Sequence, residues 1–537
     1  MLPITAFLER NALLHANEIA LIERRYDGNP TISKKQISDH GNDHYNSLSR
    51  RTLTWNEFDC RANQVANLLL SNDIKQGDKV ALLMMNCLEW LPIYFGILKT
   101  GAIAVLLNFR YTSDELKYCL TLTECSALIY TSDFSKHIAS IRYQVPMMSR
   151  FIFVGDNPPN FTENYDIIIN TFANTVPNIS LTDNDLAAIY FSVGTASGNS
   201  EFPKAILHTH RALVAAGEAE QNHHMQTHDD IFLCIPPLYH TGAKMHWFGS
   251  LMSGSSAVLL CNISPHWILE TMFQEQVTIV WLLLPWAQDI LDAIECGDIL
   301  IEKYNFSRWR LTHMGAQPIP KKLINKWLEQ FPSQIYDTNY GLTEAAGPGC
   351  VHLGIENTHK AGAIGKAGYG WETAIFDDDM KPVQSGKVGE LAVKGNGVMV
   401  EYYNDAKSTA TVLHEGWLLT GDMAYEDEQG FIHLVDRKKD LIISGGENID
   451  PVQIENFLRK NSEINDVAVI GFPDFRLGEI VVVVIELKLD SICTKKDIYE
   501  FCKYLPRYKQ PRKIIFASIP RDSIGRINKA CLREKYK

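Results

Sequence analysis

A run of small polar residues that ends in a lysine is the first stretch of this sequence with the means to do chemistry. Between Ser192 and Lys204 the chain holds three Ser, one Thr, two Gly and one Asn. Backbone N–H groups and hydroxyls in such a loop can surround a phosphate chain, and a lysine adds positive charge. The composition therefore indicates a phosphate-binding loop, although a solvated surface loop has the same composition.

Polar or small residues also follow four apolar runs farther along the chain. In chain order these turns contain His240, Pro285-Trp286, Gly315-Ala316 and the segment from Tyr340 to Glu344. Ligands of open α/β sheets bind beyond the carboxyl ends of the strands. We therefore expect the four turns to line one cleft, where Gly315 and Ala316 would let a flat ring lie against the backbone.

Histidines offer further chemistry, each with a structural alternative. His240 is compatible with a gate, with an acid–base group and with structural packing. His223, His224 and His228 are of a residue type that binds metals. No Cys or carboxylate cluster of ligand spacing is evident beside these three in the sequence, so we interpret them as a polar helix end.

The elements that must position these residues follow an α/β pattern. Residues 1–180 alternate short apolar strands with amphipathic helices, which is typical of a mostly parallel, helix-covered sheet. The period predicts a helix over Thr54–Ser71 with Thr54 as its N-cap, and a strand, a helix and a strand over 80–109. The polar, aperiodic stretch 28–51 indicates an exposed insertion. Around the polar loop we predict a strand, the loop, and then a helix from Arg211.

The predicted pattern of secondary structure changes in the last third of the chain. From about residue 362, Gly-rich turns at short intervals predict an antiparallel β subdomain. The charged cluster 436–440 has the character of a joint, and a helix is expected to open near Asp450-Pro451. The predicted fold is α/β, with a large N-terminal domain of helix-covered sheets plus a β subdomain (1–438) and a small α+β C-terminal domain (439–537).

Composition limits the classes of function. A chain of 537 residues is too long for one core, so two or more domains are expected, and 46% hydrophobic with 21% charged residues is ordinary for a globular protein. The net charge of −12 argues against a nucleic-acid or anionic-membrane binder. Eleven scattered Cys favour a reducing compartment. Glu9 and Arg10 stand where a signal peptide needs its apolar centre, and polar residues interrupt 80–109. We expect a cytoplasmic protein without an integral membrane segment.

The C-terminal segment departs from this acidic balance. From Phe501 to Lys537 the chain holds eleven Lys or Arg against two acidic residues. Such an excess fits an anion contact, and it fits a solvated basic tail equally well.

Four motifs together resemble a known superfamily. They are YGLTE at 340–344, GWLLTGD at 416–422, VDRKKDLIISGGENI at 435–449, and P-x4-G-R-I-x-K at 520–529. In this order and spacing they are similar to the adenylate-forming superfamily, which includes acyl- and aryl-CoA synthetases, firefly luciferase and peptide-synthetase adenylation domains. The resemblance covers nearly the whole chain. It is greatest to the acyl-CoA ligases, because SGGEN follows the joint and no carrier-protein domain is attached.

The resemblance implies two half-reactions and the groups that serve them. A carboxylate attacks the α-phosphate of ATP to give acyl-AMP and pyrophosphate, and the thiol of coenzyme A then displaces AMP. Both partners of the first step are anions, so a metal and fixed positive groups must offset their repulsion. By motif position Thr343 would contact phosphate and Glu344 would hold Mg²⁺. The remaining nucleotide contacts implied by the motifs are Ser192, Gly194, Thr195, Lys204, Gly315, Ala316, Asn339, Tyr340, Asp422 and Arg437.

The same resemblance assigns residues to the C-terminal domain. Lys529 would reach the reacting carboxylate and α-phosphate, and this domain would swing about Lys439 between the two half-reactions. After the swing, Gly445 and Gly446 would flank the pantetheine tunnel. Lys509 and Arg512 are the candidates for the phosphates of CoA. In the large domain, His240 matches a residue at the mouth of the acyl pocket.

The residues expected in the acyl pocket indicate the class of substrate, and the phosphate loop departs from the family pattern. The pocket would be lined by Ala243, Trp247, Phe248, Trp286, Ala345 and Gly347, and these segments carry no charged partner. We therefore expect a fatty or aromatic carboxylic acid as the substrate. The phosphate loop is about four residues longer than the family pattern S/T-S-G-T-T-G-x-P-K and carries Glu201.

Two alternatives to an acid–CoA ligase stay open. One is an acyl-AMP ligase that hands the acyl group to a carrier protein. The other is a nucleotide-binding protein weakened in catalysis, because a carboxylate about 4 Å from a phosphate costs on the order of 1 kcal/mol in water. The expected partners are the small-molecule acid, ATP and CoA, without nucleic acid. A monomer and a homo-oligomer are both compatible with the sequence.

Overall fold

The computed structural model describes most of the chain. The described residues are 1–26, 48–192, 203–315, 319–360, 362–437, 440, 442–444, 447–449, 451–474, 477–505, 507–521 and 527–536. Their contacts divide the chain into two compact units. Unit 1 comprises 1–361, 365–373 and 393–418, and unit 2 comprises 362–364, 374–392 and 419–537.

The α-helices are named in chain order. They are α1 (Thr5–Leu14), α2 (Trp55–Ser71), α3 (Trp90–Lys99), α4 (Ser113–Leu122), α5 (Ser135–Ile141), α6 (Tyr165–Ile168), α7 (His210–His223), α8 (Thr241–Ser253), α9 (Pro265–Gln274), α10 (Leu284–Glu295), α11 (Lys321–Gln330), α12 (Ala406–Val412), α13 (Pro451–Leu458), α14 (Lys495–Cys502) and α15 (Lys529–Tyr536).

The strands are named in the same way. They are β1 (Ile19–Tyr26), β2 (Leu48–Thr54), β3 (Lys79–Leu83), β4 (Ile103–Leu106), β5 (Ala127–Thr131), β6 (Arg150–Val154), β7 (Glu163–Asn164), β8 (Leu186–Ser192), β9 (Lys204–Thr209), β10 (Ile231–Cys234), β11 (Ser256–Leu260), β12 (Ile279–Leu283), β13 (Leu311–Gly315), β14 (Ile335–Asp337), β15 (Asn339–Leu342), β16 (Gly347–His352), β17 (Lys366–Ala367), β18 (Trp371–Phe376), β19 (Gly389–Gly395), β20 (Glu401–Tyr402), β21 (Leu413–His414), β22 (Trp417–Glu426), β23 (Ile432–Arg437), β24 (Ile442–Ser444), β25 (Glu447–Ile449), β26 (Ile464–Asp474), β27 (Gly478–Leu487) and β28 (Lys513–Phe516).

The first sheet of unit 1 carries the predicted phosphate loop at one strand end. Its order is β20-β9-β8-β4-β3-β5-β6-β7, and the strands from β8 to β7 are parallel. Successive residues of β3 enter different cores, Val80 and Leu82 on one face and Ala81 and Leu83 on the other. Burial on both faces is typical of a parallel sheet covered by helices.

The second sheet of unit 1 brings the four predicted turns to one edge. Its order is β14-β13-β12-β10-β11-β1-β2, and every pair except β1–β2 is parallel. The turns at His240, Pro285, Gly315 and Tyr340 therefore follow strands that run in the same direction. Parallel strands place these segments toward one edge of the sheet, and the cleft expected there stays a prediction.

Helices α2 and α3 show how local sequence sets the packing of unit 1. The Thr54 side chain accepts a hydrogen bond from the Glu57 N–H while Glu57 bonds back to the Thr54 N–H, so the predicted N-cap is confirmed. A Cβ on Gly96 would lie 2.4 Å from the Cβ of Val65. Only glycine permits this approach of α3 to α2, which fixes the helix layer over the first sheet.

Three local predictions differ from the structure. Residues 204–209 form strand β9, antiparallel to β8, so Lys204 lies on a strand that was not predicted, whereas the helix expected from Arg211 begins at His210. Pro285 and Trp286 lie in the first turn of α10 and not at a strand end. Of the predicted insertion at 28–51, residues 48–51 belong to β2, and 27–47 lie outside the described residues.

Unit 2 has its own sheet and core. Strands β24–β27 pair in the order β25-β24-β27-β26, and β28 pairs in parallel with β27. On β27, Val483 and Ile485 face the core under α13 and α14, whereas Val482 and Val484 face Leu532 of α15. The α/β class with a large N-terminal and a small C-terminal part is confirmed. The 438/439 boundary and the mobility of the small domain stay predictions.

None of the helices in the described ranges is long and apolar enough to cross a bilayer.

Candidate active site

The base of the predicted phosphate loop is a two-stranded hairpin. Ser192, the last residue of β8, pairs directly with Lys204, the first residue of β9. The Lys204 side chain is only 9% exposed. Its Nζ lies 3.8 Å from Asp405 Oδ2 and 4.4 Å from the ring centre of Tyr402. Gly194 and Thr195 lie outside the described residues.

Tyr402 joins this lysine to the predicted magnesium ligand. The Tyr402 hydroxyl donates a 2.9 Å hydrogen bond to Glu344 Oε1, while its ring lies against Lys204. Strand β20 places Tyr402 there because it pairs antiparallel with β9. The structure therefore brings Lys204 and Glu344, far apart in the sequence, to two sides of one tyrosine.

The turn that carries Thr343 and Glu344 is fixed by its backbone. His208 on β9 lies with Nε2 2.8 Å from the Thr343 carbonyl, and the Met399 N–H donates to the Glu344 carbonyl at 2.8 Å. Burial lowers the pKa of His208 to about 4, so at neutral pH its ring is uncharged and Nε2–H donates. Thr343 is half-buried and Glu344 is buried.

The hairpin before this turn depends on a glycine. A Cβ on Gly341 would lie 1.9 Å from the carbonyl oxygen of Gly347, so strands β15 and β16 close only with glycine there. Tyr340 is half-buried and packs beside Ala345 and Cys350. Its contact with adenine stays a prediction.

The glycine proposed as the other adenine wall is tightly enclosed. A Cβ on Gly315 would lie 3.2 Å from Trp281 Nε1 and 3.6 Å from Asn339 Oδ1. Asn339 itself donates through Nδ2 to Glu220 Oε1 at 2.9 Å. Ala316 lies outside the described residues.

His240 caps a helix. Its Nδ1 accepts a 3.0 Å hydrogen bond from the Gly242 N–H, which makes it the N-cap of α8. Asn86 fixes the preceding loop, since it accepts from the Leu238 N–H and donates to the Pro236 carbonyl. His240 thus has a structural role and, being half-buried, still presents an accessible edge.

The residues predicted to line the acyl pocket are mostly interior. Trp247 and Phe248 are fully buried, and Trp247 packs against Phe58 and Phe95 at ring-centre distances of 6.1 and 5.8 Å. Ala243 and Ala345 are also fully buried. These side chains support the core of unit 1.

Lys244 on α8, which no sequence motif singles out, is buried in unit 1. It is 0% exposed, and its Nζ lies 4.1 and 4.2 Å from the ring centres of Tyr94 and Tyr190. Burial holds the pKa of Lys244 well below its usual range. A lysine between His240 and His246 on an apolar helix was the available signal.

A second group that no sequence motif singles out lies around one of the histidines. His224 is buried, and its Nε2 lies 3.6 Å from Glu220 Oε2 and 2.8 Å from His313 Nδ1. The helix end expected at 223–228 is confirmed, since α7 ends at His223, but His224 is buried and has the Glu220 carboxylate beside it. The signal was Glu220 four residues earlier, one helical turn away from His224. His246 on α8 and His313 on β13 also lie near this group, and their positions relative to His224 cannot be read from the sequence.

The ribose residues predicted in unit 2 are neighbours on two strands. Asp422 on β22 pairs directly with Arg437 on β23 in the backbone register of the two strands. The Thr420 hydroxyl accepts from the Asp422 N–H and donates to the Leu391 carbonyl, which holds the turn before Asp422. Because they are neighbours on paired strands, Asp422 and Arg437 could both contact one ribose, and that contact stays a prediction.

Lys529 is held inside unit 2. It opens α15, and its Nζ lies 3.1 Å from Glu455 Oε1 on α13. Both side chains are nearly buried, at 11% and 6% exposed. Glu455 Oε1 also accepts from the Val469 N–H at 2.9 Å, so the carboxylate is fixed independently of the lysine.

The predicted CoA contacts lie elsewhere in unit 2. Lys509 is in a 3-10 turn at 507–509, where its Nζ donates to Gln453 Oε1 at 2.5 Å. Arg512 is exposed and begins the approach to β28. Lys439, Gly445 and Gly446 lie outside the described residues, and so does the side chain of Arg437.

The donor set near Glu344 fits the ion that the superfamily uses. A carboxylate with hydroxyl groups on Thr343 and Tyr402 offers only oxygen atoms, which is the chemistry that Mg²⁺ prefers. One carboxylate suits an ion that takes its other ligands from phosphates and water.

Comparisons with known proteins identify the family of the chain. Residues 34–403 match the family model of the AMP-binding enzyme, and 453–526 match that of the AMP-binding enzyme C-terminal domain. The chain is 29% identical over 495 residues to the long-chain-fatty-acid–CoA ligase FadD13 of Mycobacterium tuberculosis (strain CDC 1551 / Oshkosh), covering 90% of this chain and 93% of that protein.

A second relative and a solved structure extend the comparison. The chain is 30% identical over 504 residues to a (methyl-dioxo-octahydro-inden-yl)propanoyl:CoA ligase of Rhodococcus jostii (strain RHA1), covering 90% of this chain and 94% of that protein. The crystal structure of the anthranilate CoA ligase AuaEII in complex with anthranoyl-AMP aligns with a TM-score of 0.86 at 24% identity, covering 99% of this chain and 97% of that one, and shows the shared fold. The chain belongs to the AMP-binding enzyme family of adenylate-forming enzymes, as an AMP-forming acid–thiol ligase of the acyl-CoA synthetase type.

Proposed function

We propose that this enzyme joins a fatty or aromatic carboxylic acid to coenzyme A through an acyl-adenylate. The carrying observation is the Lys204–Tyr402–Glu344 arrangement, which sets a cation and a buried carboxylate on two sides of one tyrosine. The long-chain-fatty-acid–CoA ligase among the relatives supports a fatty acid. The apolar character of the segments around α8 supports either acid class.

The first half-reaction forms one P–O bond and breaks another. A carboxylate oxygen of the acid attacks the α-phosphorus of ATP, and pyrophosphate leaves with the electron pair. Lys204 would hold the departing phosphates and Thr343 would donate to a phosphate oxygen. Glu344 would hold Mg²⁺, which supplies charge neutralisation at the phosphates. Lys529 would stabilise the charge that develops between the acid and the α-phosphate.

The second half-reaction exchanges oxygen for sulfur at the carbonyl carbon. The CoA thiolate attacks the acyl-adenylate, the C–S bond forms, and AMP leaves; the thiol proton passes to solvent. Lys509 and Arg512 would hold the phosphates of CoA by charge. Asp422 and Arg437 would hold the ribose through both steps.

A panel of acids tests this proposal. Labelled pyrophosphate should exchange into ATP when fatty acids of graded length or aromatic acids are added, and a thioester should form once CoA is supplied. The Lys529→Ala variant should lose about 10²–10³-fold in the exchange rate. Absence of exchange with every acid would overturn the proposal, and ATP binding without exchange would favour a non-catalytic nucleotide binder.

The acceptor is tested in the same assay. If acyl-AMP forms readily but the acyl group never passes to CoA, the acceptor would be a carrier protein and not CoA. Adding a phosphopantetheinylated carrier protein in place of CoA is the matched measurement.

A further inference from the structure

Six buried side chains that the proposed reaction does not use converge inside unit 1. Each is at most 3% exposed. The set, called the buried His cluster below, consists of Glu220, His224, His246, His313, Asp337 and His352. Ionised carboxylates this deep in a protein require a cationic or hydrogen-bonding partner.

Two members present lone pairs to one another. His246 Nδ1 lies 2.5 Å from the Gly242 carbonyl oxygen, so Nδ1 carries the proton and Nε2 presents its lone pair. Nε2 in turn lies 3.1 Å from Glu220 Oε2. Among the described residues, Glu220 Oε2 finds no aligned hydrogen-bond donor. A lone pair and a carboxylate oxygen at this distance repel unless a cation lies between them.

Two further nitrogens close around the same point. His224 Nε2 lies 3.6 Å from Glu220 Oε2 and 2.8 Å from His313 Nδ1. The ligand atoms of His224, His246 and His313 all lie within 4.8 Å of one another. Tetrahedral zinc with bonds of about 2.0–2.1 Å separates its ligands by roughly 3.3 Å, and the distances here bracket that value. A proton bridges only two of these atoms, whereas one metal ion can bind several of them.

The outer partners orient these ligands as they do in metal sites. Glu220 Oε1 accepts from Asn339 Nδ2 at 2.9 Å, which aims Oε2 at the histidines. Asp337 Oδ1 accepts from the N–H groups of Thr338 and Gly354 at 2.8 and 3.1 Å, while Oδ2 lies 3.9 Å from His224 Nε2. Hydrogen bonds on the non-ligating side fix the orientation of metal ligands. His352 Nδ1 lies 3.1 Å from Asp337 Oδ2 and pairs with that carboxylate, so Glu220 is the carboxylate that remains for an ion.

We propose that Glu220, His224, His246 and His313 form a closed site for one divalent transition-metal ion, with zinc as the best fit. Imidazole and carboxylate ligands select zinc and its neighbours over Mg²⁺. Four protein ligands in a buried set leave no position for substrate, so the ion is structural. It ties α7, α8 and β13 together and, through Asn339, supports the strand that leads to Thr343. The site is separate from the magnesium site proposed at Glu344.

Metal content tests the site directly. The untagged enzyme, produced in zinc-supplemented medium and washed with a mild chelator, should retain about one zinc ion per chain by mass spectrometry. Glu220→Gln and His246→Gln should lose it. A wild-type protein without retained metal would overturn the proposal, and so would metal that these two variants keep.

The chain provides a matched control. His15, Glu18 and His228 form an exposed group, with His228 Nε2 2.7 Å from Glu18 Oε2 and His15 Nδ1 3.0 Å from Glu18 Oε1. The double variant His15→Gln/His228→Gln should keep the retained ion. Loss of the ion in this variant would place the metal on the surface and overturn the proposal.

A second measurement does not depend on how the variants fold. Wild-type enzyme unfolded with a chelator should refold poorly without metal, and refolding with Co²⁺ should give the visible absorption of a tetrahedral Co²⁺ site. The expected gain is a higher thermal midpoint with Zn²⁺ or Co²⁺ than with chelator. Equal midpoints and no Co²⁺ spectrum would show that protons balance the cluster and would overturn the proposal.

Discussion

Tyr402 contacts two charged groups, Glu344 through its hydroxyl and Lys204 through its ring. A substitution at Tyr402 therefore tests the proposed phosphate chemistry directly. Tyr402→Phe removes the hydroxyl that orients Glu344 and keeps the ring against Lys204. Outer partners of a metal ligand contribute about 10–100-fold to metal affinity or activity. We expect pyrophosphate exchange to require correspondingly more Mg²⁺, measured by titrating Mg²⁺ at fixed ATP.

The neighbouring tyrosine supplies the control. Tyr403→Phe alters a half-buried ring that lies 5.7 Å from Lys79 Nζ in the same segment. Its Mg²⁺ dependence should equal that of the wild type. An unchanged Mg²⁺ requirement in Tyr402→Phe would remove Tyr402 from the proposed machinery.

Lys244 gives a prediction for stability at the same scale. Its Nζ makes no hydrogen bond with the described residues, and burial keeps its pKa well below the usual value. Lys244→Met keeps the length of the side chain and removes the buried amine, so the free energy of unfolding should rise by about 1–3 kcal/mol. Urea denaturation measures it. A loss of stability instead would mean that the amine contact with Tyr94 and Tyr190 stabilises the fold.

The sequence predicted functional residues that lie within a motif. It did not predict the contacts that join residues of different motifs. Glu344 and Lys204 were found because each belongs to a recognisable run. Tyr402, which joins them, lies in a segment without a signal, because a cross-strand neighbour depends on the pairing of β20 with β9. Glu220 and His224 had a local signal in their spacing, but His246 and His313 reach them only through the packing of α8 and β13.

At the scale of elements, the β15–β16 hairpin depends on Gly341. In Gly341→Ala the new Cβ would meet the Gly347 carbonyl at 1.9 Å, and backbone cannot yield as a side chain can. We expect a loss of about 1–3 kcal/mol in the free energy of unfolding together with loss of pyrophosphate exchange. Gly386→Ala is the control: its Cβ would meet nothing within 4 Å, so it should cost only about 1 kcal/mol of backbone strain from its φ of +81° and keep its activity. Equal stability of the two variants would contradict the clash.

Helices α13 and α15 carry a prediction about Lys529. Glu455→Gln keeps the acceptor for the Val469 N–H and removes the charge that pairs with Lys529. The pair is nearly buried, so Lys529 loses its charge partner in the variant and is released more readily, and adenylation should rise by about fivefold or more. Pyrophosphate exchange measures the first half-reaction, and thioester formation from isolated acyl-AMP is the reference. Slower exchange in the variant would show that Glu455 supports the lysine and does not compete for it.

Elements were predicted best where the hydrophobic period was clean. Helix α2, with its capping box, and the strand–helix–strand order of β3, α3 and β4 were predicted from their own residues. Strand β9 was missed because it is short and follows a polar loop, so its identity depends on pairing with β8. Pro285 marked a boundary correctly but opens a helix, as proline does in the first helical turn.

At the scale of the whole molecule, the order of the four motifs indicated the family more strongly than any single motif did. Four short motifs spaced over nearly two hundred residues identified the family, whereas the common direction of β10, β12, β13 and β14 is known only from the sheet. The acyl pocket stays a prediction, and the burial of Trp247 and Phe248 in the core is not evident from their own segment. Burial is a property of the assembled layers and not of a segment.

The assembled core also sets how the enzyme responds to acid. His208 and His210 are fully buried, and burial lowers the pKa of each to about 4. In the unfolded chain each titrates near 6.5, so between pH 6.5 and 4 the unfolded state binds more protons. Stability is therefore fully present above pH 6.5 and is lost as the pH falls toward 4, by about 3 kcal/mol for each ring.

His208→Gln isolates one of these rings. Glutamine keeps a donor toward the Thr343 carbonyl but does not titrate, so the variant should lose less stability between pH 6.5 and 4 than the wild type. The difference should approach one proton in the pH slope of the free energy of unfolding, measured by urea denaturation at several pH values. Parallel slopes in the two proteins would mean that His208 is charged in the fold, and the Thr343 turn would then be held by a cation.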